Sequence, residues 1–425
     1  MIDFENLESL RESKNLEFKE EISSSFLKTV SAFSNYGTGR ILFGISDDKK
    51  IIGIENPNEV CLNLENKIND NIIPHPDFKF EISPQTNLIE LTVFEGKNKP
   101  YTYRNKAYKR NDSSSIEVDR TEYNRLVLAG ENKNFEELPS KNQELTFSSM
   151  QKKFSEILGV QEINKDIQKT LELYSDKEGY NIAASLVADK NDFSGIDIVR
   201  FGKNIDEILD RESFEKCSVF TQYDNSILLF RKYYQYEKID GIERKLVELV
   251  PEKAFREAVA NALIHRTWDS PANIRIEFYA EKIVITSPGG LSQEISKEEY
   301  LEGRLSILRN PILGMIFFRL HLIEKFGTGI RRIKNSYANS VSKPVFSVFD
   351  NSIQIELPVL SATPKLSLDE EKIYDALSGG MQLSSSELAL KTGFSRDKVI
   401  RLASGLLEKR YIRTVGKGRG TKYTL

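Results

Sequence analysis

The chain has 425 residues, of which 39% are apolar and 29% are charged, and its formal net charge at pH 7 is −3. This balance excludes a net positive charge on the whole chain that would attract nucleic acid or anionic membranes. Any such binding therefore requires local patches of positive charge. The only two cysteines, Cys61 and Cys217, have no CxxC spacing, which argues against a disulfide scaffold or a structural zinc site. Because no apolar stretch resembles a signal peptide or a membrane span, we expect a cytoplasmic protein without a membrane partner.

The length predicts about two to four domains, and residues 1–130 read as the first, an α/β unit. Residues 23–35 have helical apolar spacing, which the glycines of YGTGR interrupt. RILFGIS and IIGI predict a hairpin around the turn SDDKK, followed by a helix over LNLENKINDNI. FKFEIS and LIELTVF alternate as strands, and a helix near 120–129 closes the unit.

Two stretches of this unit carry acidic residues, ESKNLEFKEE (12–21) and NYGTGRILFGISDD (35–48). Together they resemble the AlbA-like domain of the Schlafen family, which implies nucleic-acid binding. The family's nuclease members cut RNA with three acids, which fall here on Glu12, Glu17 and Asp47. Converging carboxylates could hold a divalent metal that activates water. The alternative is that Glu12 and Glu17 pair with neighbouring lysines and the domain only binds.

A basic, tyrosine-rich tract follows in KPYTYRNKAYKRN. Its cations could hold a nucleic-acid backbone while its aromatic rings stack on bases. The sequence predicts this role above all for Lys109 and Arg110. The other members of the tract are Lys97, Lys99, Arg104 and Lys106, with Tyr101, Tyr103 and Tyr108 as the stacking rings.

The polar stretch 131–147 reads as a linker to a second α/β region, 148–360. Here the sequence predicts helices near 148–158 and 179–188, strands near 195–202 and 216–220, and a long helix around 224–236. NIRIEFYAEKIVITSP predicts a strand pair with a turn at Ala280 and Glu281.

Between these elements, EAVANALIH places Glu257, Asn261 and His265 four residues apart, hence on one face of a predicted helix that is otherwise apolar. A buried asparagine offers an amide oxygen to Mg²⁺, and a glutamate one turn earlier can orient or deprotonate water. His265 reads as a cap or core histidine, since no metal-ligand spacing accompanies it.

Two glycine stretches complete the pattern, ITSPGGL (285–291) and EKFGTGI (324–330), and RNP (309–311) lies between them. Glycines at a strand end and a helix start let backbone N–H groups approach phosphate. The combination resembles the GHKL ATPase fold of gyrase-type topoisomerases, heat-shock-90 chaperones, MutL proteins and histidine kinases. It is most similar to the divergent branch of bacterial regulators called RecG-related.

That resemblance implies a central α/β sandwich that binds ATP and Mg²⁺. Glu257 would activate water for ATP hydrolysis and Asn261 would be the Mg²⁺ ligand. The wider fold has an adenine-reading aspartate before its first glycine motif, but here the strand ends at Ser287 without an acid. Adenine specificity and hydrolysis therefore stay open, as does a degenerate pocket kept as scaffold. The remaining ATP-binding residues implied are Gly289, Gly290, Gly327, Thr328 and Gly329.

After a second linker, 361–367, residues 368–425 predict three helices and a hairpin, the pattern of a winged helix-turn-helix. Gly393 reads as the end of the second helix and Ser395 as the cap of the third. A local excess of cations favours DNA over the alternative of protein contacts. The predicted contacts are Arg396, Lys398 and Arg401 on the third helix, with Lys417, Arg419 and Lys422 on the wing.

Taken together, these patterns predict an α/β (α+β) multidomain protein that binds DNA, or RNA, and responds to ATP. A transcriptional regulator is the favoured reading, and the likeness implies a homo-oligomer, preferably a dimer. One rival is a Schlafen-like metal-dependent nuclease of stress or phage defence with an ATPase sensor. Another is a pseudo-ATPase adaptor.

Overall fold

The computed structural model describes residues 11–46, 48–240, 243–292, 295–324, 328–338, 340–360, 366–377, 381–409, 411–416 and 421–425. The chain divides into two compact units, Met1–Glu137 and Leu138–Leu425. Both units mix helices and sheets, so the fold is a multidomain α/β structure, as predicted from the sequence.

The first unit contains two four-stranded sheets, with strand orders β1-β2-β5-β4 and β3-β6-β7-β8. A 3-10 turn, Phe135–Glu137, ends the unit. Its elements are β1 (Leu16–Lys19), α1 (Phe26–Tyr36), β2 (Gly39–Phe43), α2 (Pro57–Asn71), β3 (Ile72–Ile73), β4 (Phe78–Ile82), β5 (Ile89–Val93), β6 (Thr102–Tyr103), β7 (Lys106–Asn111), β8 (Ser114–Glu117) and α3 (Arg120–Gly130).

Helix α1 lies at the centre of this unit, and nine of its residues are buried. Its apolar side chains join one core with residues of both sheets, among them Ile41 and Tyr103. Its buried Asn35 is satisfied by backbone: the amide nitrogen donates to the carbonyl of Tyr101 at 2.8 Å, and the amide oxygen accepts from the Tyr101 N–H at 2.8 Å. The predicted IIGI return strand is wrong, because Ile51 makes only an isolated bridge to Ile45 and is 41% exposed.

The second unit is built on a six-stranded sheet of order β12-β11-β15-β16-β18-β17, in which only β11 and β15 are parallel. The elements of this unit up to residue 358 are α4 (Ser148–Leu158), α5 (Lys165–Thr170), β9 (Tyr174–Ser175), β10 (Gly179–Tyr180), α6 (Ile182–Val187), β11 (Ile196–Phe201), β12 (Ile208–Phe214), α7 (Val219–Tyr234), β13 (Gln235–Asp240), β14 (Glu243–Glu248), α8 (Glu252–His265), β15 (Ile274–Phe278), β16 (Lys282–Pro288), α9 (Lys297–Glu302), α10 (Pro311–Arg319), α11 (Gly329–Ser336), β17 (Val345–Val348) and β18 (Ser352–Pro358).

Helices α7 and α8 pack on one face of this sheet through aromatic rings. Phe230 of α7 stacks on Phe255 of α8 with ring centroids 4.5 Å apart, and Phe255 lies 6.1 Å from Phe278 of β15. Strand β15 buries alternate residues, as the period of two in a strand requires, whereas β16 buries Ile283, Val284 and Ile285 in succession. The strand pair and its turn are confirmed by the antiparallel pairing of β15 and β16.

One prediction for this region is wrong, and strand β12 and the β13–β14 hairpin were not predicted. Residues 216–220 are not a strand: Cys217 makes one bridge to Lys190, and α7 begins at Val219 with Ser218 accepting from the Phe220 N–H. The strand lies earlier, at β12, where polar and charged residues alternate without an apolar run. The hairpin of β13 and β14 also escaped prediction, because its residues are mostly exposed and charged.

The C-terminal part contains α12 (Leu368–Leu377), α13 (Ser385–Thr392), α14 (Arg396–Glu408), β19 (Arg413–Val415) and β20 (Lys422–Thr424). These elements share a core of their own, built around Leu377, Leu388 and Leu406. Helix α13 ends at Gly393 with φ 73°, and the Ser395 hydroxyl accepts from the Lys398 N–H to cap α14. Strands β19 and β20 pair antiparallel.

Among the helices of the described residues, none combines the length and the apolar character needed to cross a membrane.

Candidate functional site

Helix α8 buries an acid and an amide on a surface that is otherwise apolar. Ala258, Val259 and Leu263 are fully buried, as expected of a helix between a sheet and other helices. Glu257 is only 6% exposed, and Asn261, one turn later, is half-buried. A carboxylate in such a place costs free energy unless another group compensates it, so its neighbours decide its role.

Helix α11 begins directly against these two side chains. A Cβ built on Gly329, its first residue, would lie 2.7 Å from Oε1 of Glu257 and 2.7 Å from Nδ2 of Asn261. Only glycine therefore fits at this position without displacing the pair. The structure thus brings together Glu257, Asn261 and the Thr328–Gly329 helix start, three predicted features from distant parts of the sequence. Gly327 lies outside the described residues.

Burial raises the pKa of Glu257, and the nearby Glu324 raises it further. Arg332 opposes this shift, with Nη1 3.6 Å from Oε2 of Glu257 and Nη2 3.2 Å from Oε1 of Glu324. A carboxyl with a raised pKa is suited to take a proton from water near neutral pH. Arg332 was not predicted; its spacing of three residues from Gly329 is the only sequence signal that it faces the same spot.

His265 lies at the end of the same helical face, half-buried. Burial and the positive charge of Arg309 lower the pKa of this imidazole to about 4. It is therefore neutral at physiological pH. Within the described residues, no cluster of three or more His, Cys, Asp or Glu side chains is arranged to hold a metal.

Gly289 and Gly290 of the SPGGL stretch are packed tightly against other residues. The Gly289 N–H donates to the Asn351 carbonyl at 2.8 Å, and a Cβ on Gly290 would meet the Asp350 carbonyl oxygen at 2.2 Å. Arg309 donates to the Gly290 carbonyl at 2.7 Å and to the Thr267 hydroxyl. Packing alone accounts for both glycines here, so we assign them a structural role beside any contact with phosphate.

The RNP motif holds the end of α8 in place. Asn310 is buried, and its amide nitrogen donates to the carbonyls of Ile264 and Arg266 at 2.8 and 2.9 Å. Ser287 donates to the Ala262 carbonyl at 3.0 Å. Carbonyls left free at a helix end need such donors. Ser287, where the sequence lacks the acid that the resemblance would imply, is thus a structural donor to α8.

The residues around Glu257 fit an ATP–Mg²⁺ site by the chemistry of their donors. Asn261 supplies a neutral oxygen of the kind Mg²⁺ accepts, and the start of α11 directs N–H groups and a partial positive charge to the same spot. Arg332 adds a cation, and Glu257 a carboxyl with a raised pKa.

In the N-terminal unit, Glu17 is held by a buried network. Its carboxylate accepts from Thr29 at 2.6 Å and from Arg110 at 2.5 Å, and Lys19 lies 2.5 Å away. Glu12 accepts from the Phe18 N–H at 2.9 Å. Because two cations already compensate the charge of the Glu17 carboxylate, this carboxylate does not need a metal ion to be stable in a buried position. Asp47 lies outside the described residues.

The predicted backbone-binding role of Arg110 is corrected by this network, because its side chain is only 4% exposed. The stacking role of Tyr101, Tyr103 and Tyr108 is corrected too, since all three rings are buried in the core. Lys109 is partly exposed and paired with Glu122 at 2.6 Å. A charge count cannot distinguish a cation that faces solvent from one that neutralises a buried acid.

On α14, Arg396 and Arg401 are exposed, as the predicted nucleic-acid contact requires. Lys398 instead points to α12, where Nζ lies 2.8 Å from Asp369, and it also covers the ring of Phe394 at 4.0 Å. Lys422 is exposed on β20. Lys417 and Arg419 lie outside the described residues.

Comparison with known proteins assigns two domains. Residues 12–119 match the family model described as "Schlafen, AlbA_2", and residues 272–357 match "Putative ATP-dependent DNA helicase recG C-terminal". The chain therefore contains a Schlafen AlbA_2-type domain and a domain of the RecG-like, ATPase-related type. The second match begins after α8, so Glu257 and Asn261 lie outside it. No curated protein matches the chain.

Two solved structures are similar to the chain. The DIP2311 protein from Corynebacterium diphtheriae is 17% identical over 99% of this chain and 98% of its own, with a TM-score of 0.48. The N-terminal domain of a "Putative ATP-dependent DNA Helicase RecG-related Protein" from Nitrosomonas europaea is 20% identical over 28% of this chain and 89% of its own, with a TM-score of 0.21.

We predict that Arg110→Ala destabilises the protein by about 3–5 kcal/mol, because it leaves the Glu17 carboxylate buried beside only one cation. Urea unfolding measures this change. Lys106→Ala, which removes an exposed partner of Glu117, should leave the free energy of unfolding almost unchanged, because solvent screens this pair. Replacing the pair together, as Glu17→Leu with Arg110→Met, should recover most of the loss. Equal effects of Arg110→Ala and Lys106→Ala would contradict the buried network.

We also predict that Glu257→Gln stabilises the nucleotide-free protein at neutral pH. The folded state raises the pKa of Glu257 above its ordinary value of 4.5, so folding favours the protonated carboxyl. Wild type therefore loses stability relative to the glutamine variant as the pH rises through the raised pKa. Thermal unfolding from pH 4 to 8 should show the advantage of Glu257→Gln growing with pH. With Glu298→Gln, an exposed control, the difference should stay flat; a difference for Glu257→Gln that is also flat would refute the prediction.

Proposed function

We propose that this protein is an ATP-responsive nucleic-acid-binding protein, a DNA-binding transcriptional regulator whose central domain, 148–360, uses a Mg²⁺–ATP site as its switch. The observation that carries the proposal is the meeting of Glu257 and Asn261 with Gly329 at the start of α11. The matches to the AlbA_2 and RecG C-terminal family models support this proposal, since the second family is described by an ATP-dependent DNA helicase.

In this proposal, a bound Mg²⁺–ATP would supply a phosphoryl group that water can attack. Asn261 would hold the metal through its amide oxygen, and the N–H groups of Thr328 and Gly329 would hold phosphate oxygens. Glu257 would orient water and accept its proton. Gly289 and Gly290 would shape the neighbouring loop, and Gly327 would complete the phosphate loop.

The site favours sensing of the nucleotide over rapid turnover. Arg332 lies 3.6 Å from Glu257 and opposes the rise in its pKa that burial causes, which limits the strength of the carboxylate as a base. Ser287 is engaged with the Ala262 carbonyl in place of an adenine-reading acid. Slow hydrolysis with tight nucleotide binding would suit a switch that changes state on binding.

The nucleic-acid contact is proposed for the winged helix, 368–425, with Arg396 and Arg401 at the DNA backbone and Lys422 on the wing. Lys398 plays a smaller part because Asp369 already pairs with it. Lys109, Lys417 and Arg419 complete the proposed contacts. The nuclease alternative has less support, because Glu17 is already neutralised by Arg110 and Lys19.

We predict that ATP with Mg²⁺ raises the melting temperature of the full chain and that Asn261→Ala abolishes this shift. At a ligand concentration of about 100 times Kd, binding to the native state stabilises it by about 2.7 kcal/mol, which is a shift of several degrees. Asn335→Ala, an exposed asparagine on α11, is the matched control and should keep the full shift. Absence of any shift in wild type would support the pseudo-ATPase adaptor instead.

We further predict that Arg401→Ala weakens binding to duplex DNA and lowers the slope of log K against log salt by about 1, the loss of one phosphate contact. Fluorescence anisotropy with a labelled duplex across a salt series gives both quantities. Lys409→Ala removes a lysine paired with Glu370 and serves as the control without effect. Equal slopes for wild type and Arg401→Ala would show that α14 does not contact the DNA backbone.

A further inference from the structure

Strands β13 and β14 form a two-stranded ribbon that carries apolar side chains into solvent. They pair from Gln235 with Glu248 to Asp240 with Glu243. Ile239 is 70% exposed, Leu246 62% and Tyr236 49%. A single hairpin of this kind is marginally stable in water, and a third strand usually completes it. Within the described residues, each of the two strands pairs only with the other.

The hydrogen-bond pattern shows which residues of β14 face outward. The Leu249 N–H donates to the Tyr234 carbonyl at 2.8 Å, which makes this pair a hydrogen-bonded one. Such pairs alternate along an antiparallel ladder, so Val247 and Lys245 direct their backbone groups to β13. The backbone groups of Arg244, Leu246 and Glu248 therefore point away from the ribbon, as a free edge that can pair with another strand.

We propose that this edge pairs with the same edge of a second copy of the chain, antiparallel, about a two-fold axis at Leu246. In this register Leu246 lies opposite Leu246, and Arg244 lies opposite Glu248 of the second copy on both sides of the axis. Lys245 lies opposite Val247 of the second copy on the other face. The two ribbons become one four-stranded sheet that covers the exposed leucines. Each Arg244, which lies 3.5 Å from Glu237 of its own ribbon, gains Glu248 of the second copy as a further carboxylate partner.

Other registers and partners fit less well. An axis at Lys245 sets Lys245 opposite Lys245, and an axis at Arg244 sets Arg244 opposite Arg244. An axis at Val247 or Glu248 separates Arg244 from Glu248. On β13, the two registers with the largest overlap oppose Glu237 to Glu237 or Lys238 to Lys238. Nucleic acid is a poor partner, since the three cations of residues 235–248 are outnumbered by four acids.

The first test is the mass of the full-length protein by light scattering after gel filtration, over a dilution series. We expect a dimer for wild type and a monomer for Leu246→Lys. Leu62→Lys is the matched control, because Leu62 is 59% exposed in the other unit. A wild-type monomer throughout the series, or a dimer that survives Leu246→Lys, overturns the proposal.

The second test is a charge swap that uses the two-fold symmetry. Arg244→Glu and Glu248→Arg each place like charges opposite one another, and we expect each to weaken the dimer. The double variant Arg244→Glu with Glu248→Arg restores both ion pairs and should restore the dimer. Glu248 also accepts from the Glu252 N–H at 3.0 Å, so thermal unfolding of each variant separates loss of fold from loss of pairing. Folded single variants that dimerise like wild type overturn the register.

The third test fixes the axis by crosslinking in a Cys61→Ser, Cys217→Ser background. Opposed residues of a hydrogen-bonded pair lie about 5.5 Å apart at Cα, within the range of a disulfide. Leu246→Cys should therefore form a crosslinked dimer under mild oxidation. Ile239→Cys should not, because Ile239 lies on β13, although at 70% exposure it is more accessible than Leu246. Equal crosslinking of the two variants contradicts the proposed axis. All three tests are independent of nucleotide and DNA, so they can fail while the proposed function stands.

Discussion

The candidate site of the second unit depends on one contact, the approach of the α11 backbone at Gly329 to the buried side chain of Glu257 and the half-buried side chain of Asn261. A carboxylate with 6% exposure is costly in an apolar helix, and one cation at 3.6 Å compensates it only in part. The raised pKa of Glu257 expresses that imbalance. A poorly compensated acid beside an amide and a helix start is typical of ligand sites more than of residues that only stabilise a fold, and on this ground we propose a ligand here.

The surrounding motifs hold this contact in position. Asn310 and Ser287 satisfy carbonyls near the end of α8, and Arg309 ties the Gly290 loop to Thr267. In the sequence, these glycine, asparagine and arginine motifs suggest a nucleotide pocket. In the structure, the same residues hold neighbouring backbone segments in place. A motif therefore identifies which stretches meet, and only the geometry separates the residues that could touch a ligand from those that support them.

Much of the fold could be predicted from the sequence where local signals are strong. The capped helices of the C-terminal part and the β15–β16 pair follow from serine caps, glycine ends and alternating apolar residues. Strand β12 and the β13–β14 ribbon could not be predicted, because their charged residues lack an apolar period. In the candidate site, the helical spacing of Glu257 and Asn261 could be predicted from the sequence. In the N-terminal unit, the partner of Glu17 could not be predicted, because Arg110 lies 93 residues away in the chain.

The most direct test of the central claim is hydrogen–deuterium exchange of the full chain with and without ATP and Mg²⁺, followed by mass spectrometry of peptides. We predict that amide exchange in α8 and at the start of α11 is slower with both ATP and Mg²⁺ than in the nucleotide-free protein. With ATP alone, exchange should change little. Unchanged exchange in both helices under saturating ATP and Mg²⁺ would contradict a nucleotide site between Glu257, Asn261 and Gly329.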